Sequence, residues 1–275
     1  MVVGARVERD AFEAARGWAL DALRLATDES SVREATRKGE LFDVVTTTDG
    51  RIERYLRDQV RTRFPDHGFL GEEEGGGNGS HPWQWVVDPI DGTLNYSTAL
   101  PGSACSIALL SDGQPVVGAI ADYSAGRTYR AIAGSGTVLV GGTADEDVAR
   151  PTSSRAGGAR IFLEFGWEDL DPVTVGVIEE LAALRTRVIR MIGGAAAALV
   201  NVALYGGCMF GLGLRIWDVA AGIVIAQEAG RQIRRWDEGS LVHLIVGSAQ
   251  DIEELAPVIE RFRASRVPPH EPDAR

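Results

Sequence analysis

"WVVDPIDGTLNY", residues 85–96, sets two aspartates three positions apart directly after an apolar run. The apolar residues before Asp88 read as a buried strand. Pro89 holds φ, and Ile90 can offer a backbone carbonyl. Gly92 lets the backbone approach a ligand closely, and Thr93 adds a hydroxyl. The N–H groups of a following helix turn suit a phosphate. Two negative charges at the end of such a strand have two readings: turn residues, or ligands of something positive.

Working outward, further carboxylates stand where elements end. Asp43 and Asp49 flank "VVTTT", Glu72 and Glu73 follow "FLG", and Asp218 follows "RIW" and opens an apolar helix. Taken singly, Asp49 and Asp218 read as N-caps, and Asp88 and Asp91 as turn residues. Taken together, carboxylates at strand ends and helix starts can converge although far apart in sequence. An all-oxygen set suits a hard cation such as Mg²⁺, which keeps waters for a substrate. Two such ions would clamp both the attacking and leaving oxygens of a phosphoryl transfer.

The 275 residues suffice for one large domain or two small ones, and 45% apolar content leaves room for a sizeable core. The formal net charge of −11 and the lack of a Lys/Arg stripe argue against a nucleic-acid polymer as partner. An acidic protein that handles an anionic substrate needs local positive charge, which again points to metal. Cys105 and Cys208 lie in apolar surroundings, as free thiols do in a reducing cytoplasm. The first residues lack a basic-then-apolar leader, and no run of apolar residues is long enough to span a membrane. A cytoplasmic protein without a membrane partner is therefore expected.

Apolar spacing predicts helices over 9–28 and 49–64, the second capped by Asp49 and closed by Pro65. "GEEEGGGNGSHP" reads as a loop in which His67, just before it, and His81 are solvated. "WQWVVD", "SACSIALL", "PVVGAIAD" and "RTYRAIA" read as strands. A polar stretch after about residue 142 reads as a seam, dividing an N-terminal α+β half (1–142) from a C-terminal α/β half (143–264). In the second half, strands at 160–166, 186–190, 207–212 and 241–248 alternate with helices at 171–185, 194–205, 218–229 and 249–264. Residues 265–275 read as a disordered tail. The class is layered α/β, with an α+β first half.

Four pieces carry a resemblance: "DVVTTTD" (43–49), "GEE" (71–73), "DPIDGTLNY" (88–96) and "WDVAAGIVIAQEAG" (217–230). In this order and spacing the sequence resembles the inositol monophosphatase family, from the first helix to about residue 264. The resemblance implies an α/β/α/β/α sandwich, a homodimer, and a lithium-sensitive, Mg²⁺-dependent phosphatase acting on a small-molecule phosphate ester. It implies two or three Mg²⁺. Glu72, Asp88 and the Ile90 carbonyl would hold the first, Asp88, Asp91 and Asp218 the second, and Glu72 would serve a weaker third. Thr93 with Asp49 would orient the attacking water, and the backbone at Gly92 and Thr93 would receive the phosphate. Glu73 and Asp43 would support the site from behind. Lys38, the only lysine beside 27 arginines, falls where the family carries a lysine near the metals. A lysine is a compact point charge that an arginine does not replace there; the alternative is a single survivor on a surface loop.

The substrate end departs from the family. An acid that reads inositol hydroxyls would fall on Gly211, and a Ser or Thr hydroxyl on Gly194. Gly166 is followed by Trp167 instead of a small polar residue, and Arg215 lies three residues before Asp218. These changes remove hydroxyl-reading groups and add an aromatic face. They point to a sugar, polyol or nucleoside phosphate other than inositol phosphate, or leave Trp167 in a core or interface. Inositol 1-phosphate, fructose bisphosphate, histidinol phosphate and 3′-phosphoadenosine phosphate remain alternatives. So does a regulatory or binding protein without turnover.

Overall fold

The computed structural model describes residues 2–28, 35–37, 44–76, 81–141, 146–148, 160–166, 172–184 and 187–265. The lysine at 38, the aspartate at 43, the tryptophan at 167 and the expected tail beyond 265 lie outside these residues, as does most of the seam after 142.

Helix α1 (Val2–Thr27) buries Ala11, Ala14, Ala15, Trp18, Ala19, Ala22 and Ala26 on one stripe. Its alanines let it lie close to a sheet, and Trp18 meets Trp85 edge-on with centroids 4.8 Å apart. A short antiparallel pair, β1 (Ala35–Arg37) and β2 (Val44–Thr46), leads into helix α2 (Thr47–Arg63). The first sheet then runs in the order β3 (Gly68–Gly71), β4 (Trp83–Asp91), β5 (Ala104–Ser111), β6 (Gln114–Asp122), β7 (Arg127–Ile132), β8 (Val138–Gly141) and β9 (Glu146–Val148). Only β3 and β4 are parallel; the remaining pairs are antiparallel. A five-residue helix, α3 (Thr93–Ser97), follows β4.

The second sheet has the order β11 (Val188–Arg190), β10 (Arg160–Phe165), β12 (Cys208–Leu214), β14 (Leu241–Gly247), β13 (Gln232–Glu238). β10 is parallel to both β11 and β12, while β14 runs antiparallel to β12 and β13. Helix α4 (Pro172–Ala183) joins β10 to β11, and α5 (Ala195–Tyr205) joins β11 to β12. Helices α6 (Ile216–Glu228) and α7 (Ala249–Ser265) complete the chain.

Three cores show the layering. Helices α1 and α2 pack on one face of the first sheet, through Ile52, Leu56, Trp85, Ile107 and Leu109. Helices α5 and α6 fill the space between the sheets, with Val86 and Ile120 on one side and Met209 and Leu244 on the other. Helices α4 and α7 cover the far face of the second sheet through Leu163, Leu181, Phe210 and Ile259. The result is the expected α/β/α/β/α sandwich. Leu199 of α5 is fully buried in the central layer, so truncation to Ala would cost roughly 2–5 kcal/mol.

Several local expectations change. The N-cap of α2 is Thr46, and Asp49 is the third helical residue of a capping box. Asp88 and Asp91 lie inside β4 rather than in a turn. Strand β13 was not expected: "QIRRWDE" is an edge strand whose charges mask its alternation. His67 is half-buried; its Nδ1 accepts from Trp85 Nε1 at 3.2 Å, and burial pushes its pKa down.

Candidate active site

Parallel strands direct their C-terminal ends to one region, where α/β folds bind ligands. β3 and β4 bring Glu72 and Asp88–Asp91 there. β10, β11 and β12 bring Glu164, the loop 191–194 and Arg215.

A bulge makes the β4 end chemically useful. Asp88 pairs with Ser106 and Asp91 with Ala104, so three steps on β4 oppose two on β5. In a regular strand, residues three apart point to opposite faces. The extra residue restores both aspartates to the face toward α5 and α6, while Ile90 turns into the α1/α2 core. Asp88 is only 2% exposed, and its Oδ1 has no hydrogen-bond partner. Burial first, then the charges of Glu72, Asp91 and Asp218, raises its pKa well above the carboxylate range. An acceptor left unsatisfied in such a place is costly unless a cation meets it.

Asp91 is held by the start of α5: Ala195 N–H donates to Oδ1 at 3.2 Å and Ala196 N–H to Oδ2 at 2.6 Å. Those bonds favour its charged form, yet burial and then the Asp218 charge still raise its pKa. Asp218 is the third residue of α6, and its Oδ2 accepts from Arg215 N–H at 2.7 Å. The N-cap is Arg215, so Asp218 is the reciprocal member of a capping box and a site carboxylate at once. Burial, with Glu72 adding, raises its pKa to about 7.

Glu72 follows β3, with its N–H on the Val87 carbonyl at 3.1 Å. The next two N–H groups, of Glu73 and Glu74, donate to the buried Glu53 carboxylate at 2.8 and 3.0 Å. Arg57 pairs with Glu53 at 2.7 Å. Asp49, fully buried, accepts from Thr46 N–H at 2.8 Å and faces the Thr93 hydroxyl at 3.3 Å. Thr93 Oγ1 lies closer to the Ile90 carbonyl, at 2.8 Å, which leaves that oxygen a second lone pair. Burial raises the Asp49 pKa to about 6. Gly92 has φ 76°, and a Cβ there would lie 2.6 Å from the Gly102 carbonyl and 2.8 Å from that of Gly193. Only glycine fits this crossing.

At the substrate end, backbone replaces side chains. A Cβ at Gly194 would lie 2.1 Å from the Gly102 carbonyl. A Cβ at Gly211 would meet Leu244 at 2.7 Å and Leu214 at 2.8 Å, so apolar side chains fill the place of an acid. Arg215 is partly buried and its guanidinium bonds to the Ser240 hydroxyl. Glu164, not anticipated, bridges the N–H groups of Ile192 and Gly193 at 3.0 and 3.1 Å. Burial raises its pKa to about 7. Glu53 and Glu164 each carried one signal: a carboxylate on an otherwise apolar helix face or strand.

The residues fit a hard cation: an orphaned buried oxygen at Asp88, all-oxygen donors, and carboxylates whose charges reach one another. Among the described residues, however, no three acidic, His or Cys side chains already stand at metal-holding distances. Nor is any helix among them long and apolar enough to cross a membrane.

The inositol monophosphatase family model matches residues 5–263. An inositol-1-monophosphatase of Mycobacterium bovis is 33% identical over 240 residues, 82% of this chain and 81% of that protein. A fructose-1,6-bisphosphatase/inositol-1-monophosphatase of Thermotoga maritima is 30% identical over 204 residues, 74% and 75% of the two chains. The structure of Mycobacterium tuberculosis SuhB superposes with a TM-score of 0.73 at 27% identity, covering 94% of this chain and 98% of that one. With its fold, its carboxylates and its sequence in agreement, the chain belongs to the inositol monophosphatase family, phosphatases that hydrolyse phosphoric monoesters.

Proposed function

We propose that the chain is a Mg²⁺-dependent phosphomonoesterase for a small-molecule phosphate other than inositol phosphate. The observation that carries the metal reading is the β4 bulge. It places Asp88 and Asp91 on one face, with Asp88 Oδ1 unsatisfied and Glu72 and Asp218 within electrostatic reach. Glu72, Asp88, Asp91, Asp218 and the Ile90 carbonyl would hold Mg²⁺, two or three ions in all. Bound there, Mg²⁺ supplies charge neutralisation for the phosphate and for the leaving oxygen.

The chain's own residues do the rest. Asp49, anchored by Thr46, accepts a proton at Oδ1, which lies 3.3 Å from Thr93 Oγ1. A water that contacts both Thr93 Oγ1 and Asp49 Oδ1 from the open side is thereby oriented toward phosphorus. A carboxylate poised near pH 6 suits that duty better than an ordinary aspartate. The backbone at Gly92 and Thr93 receives the phosphate. Glu73 supports Glu72 through its N–H on Glu53.

The substrate reading rests on Gly211. Leu214 and Leu244 occupy the space that a hydroxyl-reading acid would need. Gly194 and Gly211 thus offer no hydroxyl-reading side chain, and Arg215 adds one cation. The names of the inositol-1-monophosphatase relatives favour the second reading, inositol phosphate itself. A cytoplasmic homodimer completes the reading.

The test is phosphate release from inositol phosphate, fructose bisphosphate, histidinol phosphate, 3′-phosphoadenosine phosphate and several sugar and nucleoside phosphates, with and without Mg²⁺ and with Li⁺. Mg²⁺-dependent release that favours a non-inositol substrate is expected. Preference for inositol phosphate would overturn the substrate reading. Asp91→Asn should lose nearly all turnover, and no release from any substrate by a folded protein that binds Mg²⁺ would move the weight to a regulatory protein.

A further inference from the structure

Ile192 is gripped at both ends of its peptide. Its N–H donates to Glu164 Oε1 at 3.0 Å, and its carbonyl accepts from Asn95 Nδ2 at 2.6 Å. Gly193 N–H donates to the other Glu164 oxygen at 3.1 Å. Glu164 reaches in from β10 and is only 5% exposed. Asn95 reaches in from α3, two residues beyond Thr93. Its amide nitrogen faces three carbonyls, those of Ile192, Gly193 and Gly102, which fixes the amide orientation. The loop between β11 and α5 is therefore clamped from both sheets. Directly after it, Ala195 and Ala196 bind the two Asp91 oxygens.

We propose that Glu164 is a positioning residue for the reaction: by gripping Ile192 and Gly193 it fixes where the N-terminus of α5 meets Asp91. The inference rests on the reading of Asp91 as a Mg²⁺ ligand. An amide does not replace a carboxyl group that accepts two successive N–H groups. In Gln, the amide nitrogen would face one of those donors and leave it unpaired. Asp is one methylene shorter and cannot span both. Released at Ile192 and Gly193, the loop would keep only Asn95, and α5 would lose its fixed start.

The experiment uses the full chain without metal. Amide hydrogen exchange of residues 192–196 is followed in wild type, Glu164→Gln and Asn95→Ala, alongside Mn²⁺ binding as the metal probe. Glu164→Gln is expected to speed exchange at 192–196 at least tenfold, with β4–β6 unchanged, and to raise the Mn²⁺ Kd three- to tenfold. In assays the Mg²⁺ activation constant should rise while substrate KM at saturating Mg²⁺ holds. Glu164→Asp should recover part of each effect. Unchanged exchange at 195 and 196 in a folded variant would overturn the proposal, as would equal acceleration throughout the chain. Should Glu164→Gln fail to fold, Asn95→Ala releases the same loop, with unchanged exchange at 195 and 196 again overturning. Faster exchange at unaltered Mn²⁺ affinity would uphold the clamp and remove Asp91 from the metal set.

Discussion

At the ends of β3 and β4 the site is made of side chains; at the ends of β10 and β12 it is made largely of backbone. The first region gathers Asp49, Glu72, Asp88 and Asp91, with Asp218 facing them from α6. Burial and mutual repulsion push several of their pKa values up. The second presents Gly194, where the Gly102 carbonyl leaves no room for a Cβ, and Gly211, where a Cβ would meet the methyl ends of Leu214 and Leu244. Charge stored at one end needs a cation to be stable, whereas close packing at the other needs only the absence of side chains. The first constraint ties the protein to a reaction class. The second limits which side chains the substrate end can carry without fixing the reaction class.

The largest expected effect lies at the carboxylate end. Asp88→Asn keeps the shape and removes the charge. Turnover should fall by about 10³-fold or more, with thermal stability held or raised, because a repelling charge is gone. A folded variant with wild-type turnover would erase the contrast between the two ends. Thr93→Ala should act next: kcat falls on the order of 10²-fold, with little change in KM. A rise in KM alone would assign Thr93 to binding.

Gly211→Glu probes the opposite end. The new carboxylate would be driven among Leu214 and Leu244, costing about 2–3 kcal/mol in denaturant unfolding. Inositol phosphate hydrolysis should not appear. A stable variant that gains it would show that the wall at Gly211 yields readily. The smallest effect is in pH. Asp49, Asp218 and Glu164 have folded pKa values raised to about 6, 7 and 7. Between pH 4 and 7 the unfolded chain ionises these groups while the folded one retains their protons. Their contribution to stability is therefore present at low pH and lost as pH rises toward 7. Metal-free protein should follow that slope, and Asp218→Asn should reduce it by on the order of 1 kcal/mol after solvent screening. An unchanged slope would place the Asp218 proton elsewhere.

Much of the carboxylate end was legible because residue type and chemistry are linked there. Asp91 closes β4 and Asp218 lies in the first turn of α6, close to where the sequence reads element ends, while Asp88 lies inside β4. What the sequence could not show was the register. The β4 bulge, which turns Asp88 and Asp91 to one face, depends on pairing with β5. Asp49 read as a cap; the true cap is Thr46, and Asp49 is its reciprocal partner. Apolar spacing revealed α1, α2 and the inner strands, since burial leaves a period. β13 escaped because an edge strand buries little, and Arg234, Arg235 and Asp237 hide its alternation. His67 looked solvated, but Trp85 and Phe64 enclose it through contacts that spacing does not encode. The substrate end was least legible. A glycine in sequence says that a side chain is missing, and only the structure shows whether backbone or Leu244 fills the gap.

The reading of the β4 carboxylates stands or falls on whether they hold a divalent cation. Calorimetric titration of Mg²⁺ into the metal-free protein near pH 7, in two buffers of different ionisation enthalpy, tests it directly. Carboxylates with raised pKa values must release protons on binding, so saturable binding with buffer-dependent heat is expected, lost in Asp88→Asn. Phosphate release by a wild-type protein that binds no divalent cation would contradict it.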